Sequence, residues 1–265
     1  MNEALNATAV AEAIAKRLAI KGLQNIKVRF FESTDSTNTR AKEFAKSQTD
    51  KAPTVFIALE QTAGHGRMGR TFESPKSKGL YISFLTYPDK SASKAPVLTA
   101  CAAVKAARAI ESLCEITVGI KWVNDLIVNQ KKLAGILTEG EYTENGSFSY
   151  VICGIGINIK RAALSSSLSQ IATSIEEECG IAPNIEELAV QLIEEYFSPA
   201  SDHELINEYR SRSVLIGEHI TVKPILGEPY EAKAIGISDT ASLIIETKKE
   251  TKELNSAEVS IKRHT

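Results

Sequence analysis

Four short stretches of the chain carry side chains suited to handling phosphate and carboxylate. The first is Gly64-His65-Gly66-Arg67-Met68-Gly69-Arg70, glycines interleaved with two arginines. Glycine lets backbone N–H groups approach a ligand closely, and arginine adds a fixed fork of donors matched to phosphate or carboxylate. The second is Lys121-Trp122-Val123-Asn124-Asp125, a cation beside an amide and a carboxylate oxygen of the kind Mg²⁺ accepts. The third is Lys132-Leu133-Ala134-Gly135, and the fourth is the small polar run Ser33-Thr34-Asp35-Ser36-Thr37-Asn38. Each also has an ordinary reading. Glycine-rich stretches are common as flexible surface loops. Asn124 and Asp125 can simply turn the chain, and Lys132 can be a solvated strand lysine. The polar run precedes a helical pattern, so it can cap a helix; one cap needs one such residue, and six leave room for a second job.

Together the four meet a more specific requirement. A carboxylic acid attacking the α-phosphate of ATP brings two anions together, which Lys, Arg and Mg²⁺ must neutralise. Lys132 can bridge the reacting carboxylate and phosphate, while Asn124 and Asp125 take the metal. Gly64 to Gly69 also fits G-x-G-x-x-G, the dinucleotide fingerprint, but that motif has to open a helix. Its continuation, Arg70-Thr71-Phe72-Glu73-Ser74-Pro75-Lys76-Ser77-Lys78-Gly79, holds a proline, a closing glycine and no 3.6-residue apolar period. It reads as loop, and the dinucleotide option falls.

The elements that must hold these stretches follow from periodicity. Val10, Ile14 and Leu18 recur every fourth residue, so Thr8 to Ile20 reads as an amphipathic helix ended by Gly22. Val28 to Phe31 is a strand, and Ala41, Phe44 and Ala45 mark a helix after the polar run. Thr54 to Gln61 is a strand delivering the glycine loop, and Gly79 to Thr86 returns from it. Pro96 starts an Ala-rich helix reaching about Leu113. Thr117 to Lys121, Leu126 to Val128 and Lys132 to Glu139 read as strands, the last two as a hairpin. Asn145-Gly146 signals a tight turn before Phe148 to Ile152, which runs into Cys153-Gly154-Ile155-Gly156-Ile157-Asn158-Ile159. Glycines inside such an apolar strand mark a close backbone approach or a bulge. Ile171 to Arg212 is helical, broken at Cys179-Gly180 and Pro183, with Asn184 capping a helix through Tyr196. Beyond Val214 the short alternating stretches His219 to Val222, Glu231 to Ile237, Ser242 to Ile245 and Glu258 to Ile261 predict a compact β-barrel-like unit. The architecture is α+β, a mixed sheet with helices followed by a small all-β domain.

Bulk properties narrow the classes. The 265 residues can bury a full core, and the formal charge of −2 gives no globally basic surface for coating nucleic acid. No 18-residue apolar run exists, and Met1 to Asn6 lacks a basic leader, so neither a membrane span nor a secretory signal is expected. Cys101, Cys114, Cys153 and Cys179 show no C-x-x-C spacing, which favours reduced, buried thiols in a cytoplasmic protein. Low complexity is confined to the serine patch Ser165 to Ser169.

In order and spacing, the chain resembles the biotin protein ligases. The resemblance rests on Asp35-Ser36-Thr37-Asn38, the stretch Glu60 to Arg70, Lys121-Trp122-Val123-Asn124-Asp125, Lys132 to Leu137 and Gly154 to Asn158. It continues through Ala172-Thr173-Ser174-Ile175 to Glu258-Val259-Ser260-Ile261-Lys262. It implies a helical leader over 1–27, a class II synthetase-like catalytic domain over 28–213 and an SH3-like barrel over 214–265. It further implies a ligase that forms biotinyl-5′-AMP from biotin and ATP with Mg²⁺, then biotinylates a lysine of a biotin carboxyl carrier protein. By position, Lys132, Arg67 and Asp125 would be catalytic. Biotin would meet Ser36, Thr37, Asn38 and Gln61, the loop residues His65, Gly66 and Arg67, and Lys132, Gly135 and Gly154. ATP would meet Arg67, Arg70, Lys121, Asn124 and Asn158, with the metal on Asp125 and Asn124, and the glycine–arginine loop would close over the adenylate. His65 stands where the family usually has arginine, Val123 where it has proline, and Ala241 and Ala257 where glycine is common. About 27 residues precede the first matching strand, room for one helix, so ligase activity without transcriptional repression is expected, with no nucleic-acid or membrane partner. A lipoate or octanoate ligase or transferase of the same architecture and a non-catalytic ligand-binding relative are the alternatives. The oligomeric state stays open, a homodimer being one option.

Overall fold

Alternation of large and small side chains along two strands decides how the main sheet is covered. In the computed structural model, which describes residues 7–88, 94–161 and 170–261, the chain forms twelve strands and six α-helices among those residues. The serine patch Ser165 to Ser169, Met1 to Asn6 and Lys262 lie outside the described residues. The first half runs α1 (Ala7–Ile20), β1 (Lys27–Phe31), α2 (Thr37–Ser47), β2 (Thr54–Ala58), β3 (Gly79–Thr86) and α3 (Ala95–Glu111). Then come β4 (Gly119–Lys121), β5 (Asp125–Val128), β6 (Lys131–Tyr142) and β7 (Phe148–Asn158). These strands make a seven-stranded sheet in the order β1-β2-β3-β7-β6-β5-β4. Only β1 and β2 pair in parallel, so the sheet is mixed.

On one face, Leu80, Ile82 and Phe84 of β3 and Cys153, Ile155 and Ile157 of β7 enter the main core. They meet α1, α3 and two later helices, α5 (Ile185–Phe197) and α6 (Asp202–Ser211); a short α4 (Ile175–Cys179) precedes them. The α1 stripe Val10, Ile14 and Leu18 is buried as its spacing requires, each side chain worth about 1.5–3 kcal/mol of transfer energy. On the opposite face, Phe56, Leu85, Tyr150 and Ile152 pack under Ala41 and Phe44 of α2. Beside that patch the same face carries Ser83, Gly154, Gly156 and Gly135, which are too small to fill it. The hollow beside the start of α2 is therefore written in the strands.

Some boundaries differ from periodicity for identifiable reasons. Strand β2 leaves the ladder at Ala58, and Gln61 instead bridges Thr34 and Ser74. Strand β7 runs unbroken through its glycines, which are paired residue for residue with β3, so they mark close approach rather than a bulge. In this sheet the register shifts fall at Leu126/Ile127 and Glu141/Tyr142.

The last segment forms β8 (His219–Lys223), β9 (Tyr230–Ile237), β10 (Leu243–Glu246), β11 (Thr251–Leu254) and β12 (Glu258–Ile261), an antiparallel sheet ordered β11-β10-β9-β8-β12. Strand β11, Thr-Lys-Glu-Leu, escapes a hydrophobicity reading because three of its four residues are polar. Ile220, Val222, Ala234, Leu243 and Ile245 join the same core cluster as the main sheet. Trp122 Nε1 donates to the Ala241 carbonyl at 2.8 Å across that junction. Ala241 has φ +60°, the left-handed conformation for which glycine is favoured, so the turn geometry survives the departure from glycine.

Candidate active site

Register places the chemistry. Lys121, Asp125, Gly135, Gly156 and Tyr81 are successive cross-strand partners in one row over β4, β5, β6, β7 and β3. The next row on that face holds Leu137, Gly154 and Ser83. Cross-strand partners project to the same side, so cations and carboxylate lie toward β4 and β5, and hydroxyls toward β3. The glycines between them supply room. A Cβ on Gly156 would lie 2.5 Å from the Phe72 ring, and one on Gly135 3.0 Å from Lys132 Nζ. A Cβ on Gly154 would overlap Asn38 Oδ1. The result is a cavity of about 190 Å³.

At the β3 end, Ser36 is the N-cap of α2 but its side chain makes no cap hydrogen bond. The capping reading of the polar run therefore does not account for its hydroxyl, which borders the cavity. Asp35 accepts from Ser36 N at 2.6 Å and from Arg40 at 2.9 and 2.6 Å. Burial alone would raise the Asp35 pKa, but these bonds and the Arg40 charge hold it below the usual carboxylate range. Gln61 Oε1 accepts from Thr37 N at 2.8 Å, and its Nε2 donates to Ser74 Oγ at 2.9 Å. Ser83 Oγ lies 2.7 Å from Thr37 Oγ1 and 2.6 Å from Asn38 Oδ1. The side chains that line the cavity at this end are polar and uncharged, and Thr37, Asn38 and Gln61 are held by hydrogen bonds.

The other end is charged. Lys132 Nζ sits 2.7 Å from Asp125 Oδ1 and 5.9 Å above the Phe72 ring centre. The backbone of Lys132 is clamped by Ile171 O and Thr173 N, each at 2.9 Å. Asn124 is both turn and site residue: Nδ2 donates to Ile136 O at 2.8 Å, while Oδ1 accepts from Arg67 Nη1 at 3.2 Å. Tyr209 OH holds the adjoining Val123 carbonyl at 3.0 Å, so hydrogen bonds pin the turn on both flanks without the usual proline.

The glycine–arginine loop folds back on itself, with Gly66 N to Arg70 O at 2.7 Å and Phe72 N to Gly64 O at 2.9 Å. A single 3₁₀ turn, Arg67–Gly69, reverses it through left-handed Met68 and Gly69. Arg67 Nη2 reaches Ser256 Oγ at 3.2 Å, and Arg70 pairs with Glu258, so the loop is tied to the C-terminal sheet. Burial pulls the Arg67 pKa down and the Asp125 charge opposes it; a guanidinium starts so high that it stays a cation. A half-desolvated cation attracts an anion more strongly than one in water.

Every residue given a catalytic, biotin, ATP or metal role by position lines this one cavity except Asn158. Ser36, Thr37, Asn38 and Gln61 form the polar end; Lys121, Asn124, Asp125 and Lys132 the charged end. Gly135 and Gly154 lie on the floor, and His65, Gly66, Arg67 and Arg70 border it from the loop. Asn158 is buried, with Nδ2 bonded to Thr173 O at 3.0 Å. Periodicity missed Phe72, Ser83, Ser256 and Glu258. Phe72 had one signal, an aromatic isolated in a polar loop, and Glu258 stood in a motif of the resemblance with no site role attached; Ser83 and Ser256 gave none. The four cysteines are free thiols, and burial raises those of Cys101, Cys114 and Cys153 to about 12, so they stay protonated.

Against known proteins, residues 30–158 match the biotin/lipoate A/B protein ligase family, and residues 215–262 match the biotin protein ligase C-terminal domain. The bifunctional ligase/repressor BirA of Bacillus spizizenii is 33% identical over 239 residues, covering 85% of this chain and 71% of that protein. The chain belongs to the biotin protein ligase family. Another relative in the family, the biotin–[acetyl-CoA-carboxylase] ligase of Mycobacterium tuberculosis, is 27% identical over 80% of both chains. The biotin protein ligase of Aquifex aeolicus, solved with biotin and ATP, superposes with a TM-score of 0.74 at 27% identity, covering 89% of this chain and 99% of that one. Both the mixed sheet with its helices and the C-terminal antiparallel sheet are thus those of this ligase family.

Proposed function

We propose that this ligase condenses biotin with ATP to biotinyl-5′-AMP and pyrophosphate, then biotinylates a lysine on a biotin carboxyl carrier protein domain. One observation carries the reading: a neutral, hydrogen-bonding end and a cationic end share one cavity. The ureido head of biotin is uncharged and needs donors and acceptors, which Ser36, Thr37, Asn38 and Gln61 offer. Its carboxylate and the triphosphate need positive charge, which Lys132, Lys121, Arg67 and Arg70 offer. The relatives support this, since one was solved with biotin and ATP and another is named for acetyl-CoA carboxylase.

In the first step a biotin carboxylate oxygen attacks the α-phosphorus, the bond to the bridging oxygen breaks, and pyrophosphate leaves with the electron pair. Lys132 and Arg67 stabilise the charge that builds on the phosphoryl oxygens, while Asp125 keeps the Lys132 amine placed. Asp125 and Asn124 would hold Mg²⁺ through one carboxylate and one amide oxygen, donors of the kind that ion accepts. Mg²⁺ when bound would neutralise phosphate charge. In the second step a lysine amine attacks the acyl carbon, and AMP departs as the leaving group. The loop excludes water from the anhydride meanwhile.

We assign 28–213 to the catalytic unit, 214–265 to the C-terminal unit and 1–27 to an N-terminal segment that carries α1. The cysteine usage supports a cytoplasmic setting, and no helix among the described residues is long and apolar enough to cross a membrane. Incubation with ATP, Mg²⁺ and biotin, lipoate or octanoate, reading acyl-AMP by mass spectrometry, tests the reading. Biotinyl-AMP alone is expected, because a dithiolane or alkyl chain leaves the polar end unpaired. Lipoyl- or octanoyl-AMP in its place would overturn it.

A further inference from the structure

Glu139, on β6, lies outside the cavity lining but is hydrogen-bonded to a residue inside it. We infer that Glu139 is a positioning residue for biotin recognition: through Asn38 it sets the direction of the hydroxyl chain that ends at Thr37. This deepens the biotin reading and rests on it.

Proton counting carries the argument. Asn38 Nδ2 faces Glu139 Oε2 at 2.7 Å and Leu137 O at 3.4 Å. A carboxylate and a carbonyl only accept, so the amide must present its NH₂ to them and its oxygen the other way. Asn38 Oδ1 lies 2.6 Å from Ser83 Oγ; the amide oxygen only accepts, so Ser83 gives its single proton there. Thr37 Oγ1 lies 2.7 Å from Ser83 Oγ, whose proton is now committed, so Thr37 donates to Ser83. Gln61 Oε1 then relies on the Thr37 backbone N–H at 2.8 Å. Thr37 Oγ1 is left with its lone pairs uncommitted at the cavity wall, an acceptor for a ureido N–H.

Without the carboxylate the chain can run backwards. Only the long bond to Leu137 O would hold the Asn38 amide, and a charge-assisted bond is roughly twice as strong as a neutral one. With the amide turned over, Asn38 donates to Ser83, Ser83 to Thr37, and Thr37 to Gln61 Oε1 at 3.1 Å. One Thr37 lone pair is then occupied by protein, and the wall offers biotin a weaker acceptor. Glutamine at this position accepts as well as donates, so E139Q removes the directional bias while keeping size. Glu139 is solvent-exposed, so the fold does not depend on it.

The test is steady-state, biotin-dependent pyrophosphate release by wild type, E139Q, S83A and the double variant. The expected result is a KM for biotin raised about tenfold in E139Q, the effect of one lost charge-assisted bond. Both kcat and KM for ATP should stay within about twofold. In the presence of S83A, which cuts the chain between Asn38 and Thr37, adding E139Q should change KM for biotin little further. An active wild type with an unchanged biotin KM in E139Q overturns the inference alone, as does an equal E139Q effect with and without S83A. A wild type with no biotin-dependent pyrophosphate release overturns the biotin reading and this inference together.

Discussion

Lys132 Nζ and Asp125 Oδ1 are 2.7 Å apart on adjacent strands, each about a quarter to a third exposed. Asp125 stands in the floor row with Lys121 and two glycines, and the Lys132 amine reaches across to it from outside that row. A pair this accessible adds little to stability, roughly 0–1 kcal/mol, so its value lies in placing the amine. Lys132→Ala should therefore lower the rate of biotinyl-AMP formation by about 10³-fold or more, the scale of losing a transition-state charge stabiliser. Its thermal midpoint should stay close to wild type. Pyrophosphate release and melting by circular dichroism check both; normal turnover would remove Lys132 from the mechanism.

Arg67 spans the loop, Asn124 and Ser256. Arg67→Ala should release biotinyl-AMP faster, by about tenfold for one to two lost charge-assisted bonds, with the fold intact. Retention of radiolabelled adenylate through gel filtration reads this directly, and wild-type retention would contradict a closing role for the loop.

The floor glycines make a sharper steric prediction. In Gly154→Ala the new methyl meets the Asn38 amide, which is anchored to Glu139 and Ser83 and cannot simply swing away. The expected cost is about 1–3 kcal/mol of stability, typical of overpacking, with biotin binding weakened at least tenfold. Calorimetric titration with biotin and a denaturant curve would show it, whereas wild-type affinity would mean that Asn38 does not shape the polar end.

Acid stability should be governed elsewhere, by the four-charge cluster between α3 and α6. Glu111 pairs with Arg212 at 2.8 Å, and Glu208 pairs with Arg212 at 2.8 Å and with Arg108. Burial alone would raise both carboxyl pKa values, but the arginine hydrogen bonds and charges outweigh it and hold them below 4.5. A depressed folded pKa means stability that is fully present above the unfolded value and is lost as pH falls through the folded one. Unfolding free energy should hence drop from about pH 4.5 downward. Glu208→Gln should cost about 2 kcal/mol at pH 7 and flatten that acid slope. Urea titrations at pH 7, 5 and 3.5 would decide it, an unchanged slope counting against the cluster.

Much of this site is legible in sequence because strand and loop chemistry are local. Lys132 and Asp125 sit at the starts of two hairpin strands, and the glycine loop lacks the helix a dinucleotide motif needs. What sequence hides is register. Nothing in the text of the chain says that Gly135 faces Gly156, or that Ser83 faces Gly154; that depends on β6, β7 and β3 pairing without slip. Contacts between distant elements are hidden for the same reason. Ser256 and Glu258 reach the loop only because the C-terminal sheet shares the core of the main one. Asn158, at the end of β7, is in the right motif, yet its amide turns to Thr173. Strand β11 is invisible because an edge strand facing water needs no apolar period.

The most direct test of the account supplies the protein with biotin, ATP, Mg²⁺ and an apo biotin carboxyl carrier domain, and weighs the carrier by intact mass spectrometry. The account predicts a carrier gaining one biotinyl group on a single lysine, dependent on ATP and lost in Lys132→Ala. A carrier of unchanged mass, with no biotinyl-AMP or pyrophosphate formed, would contradict it.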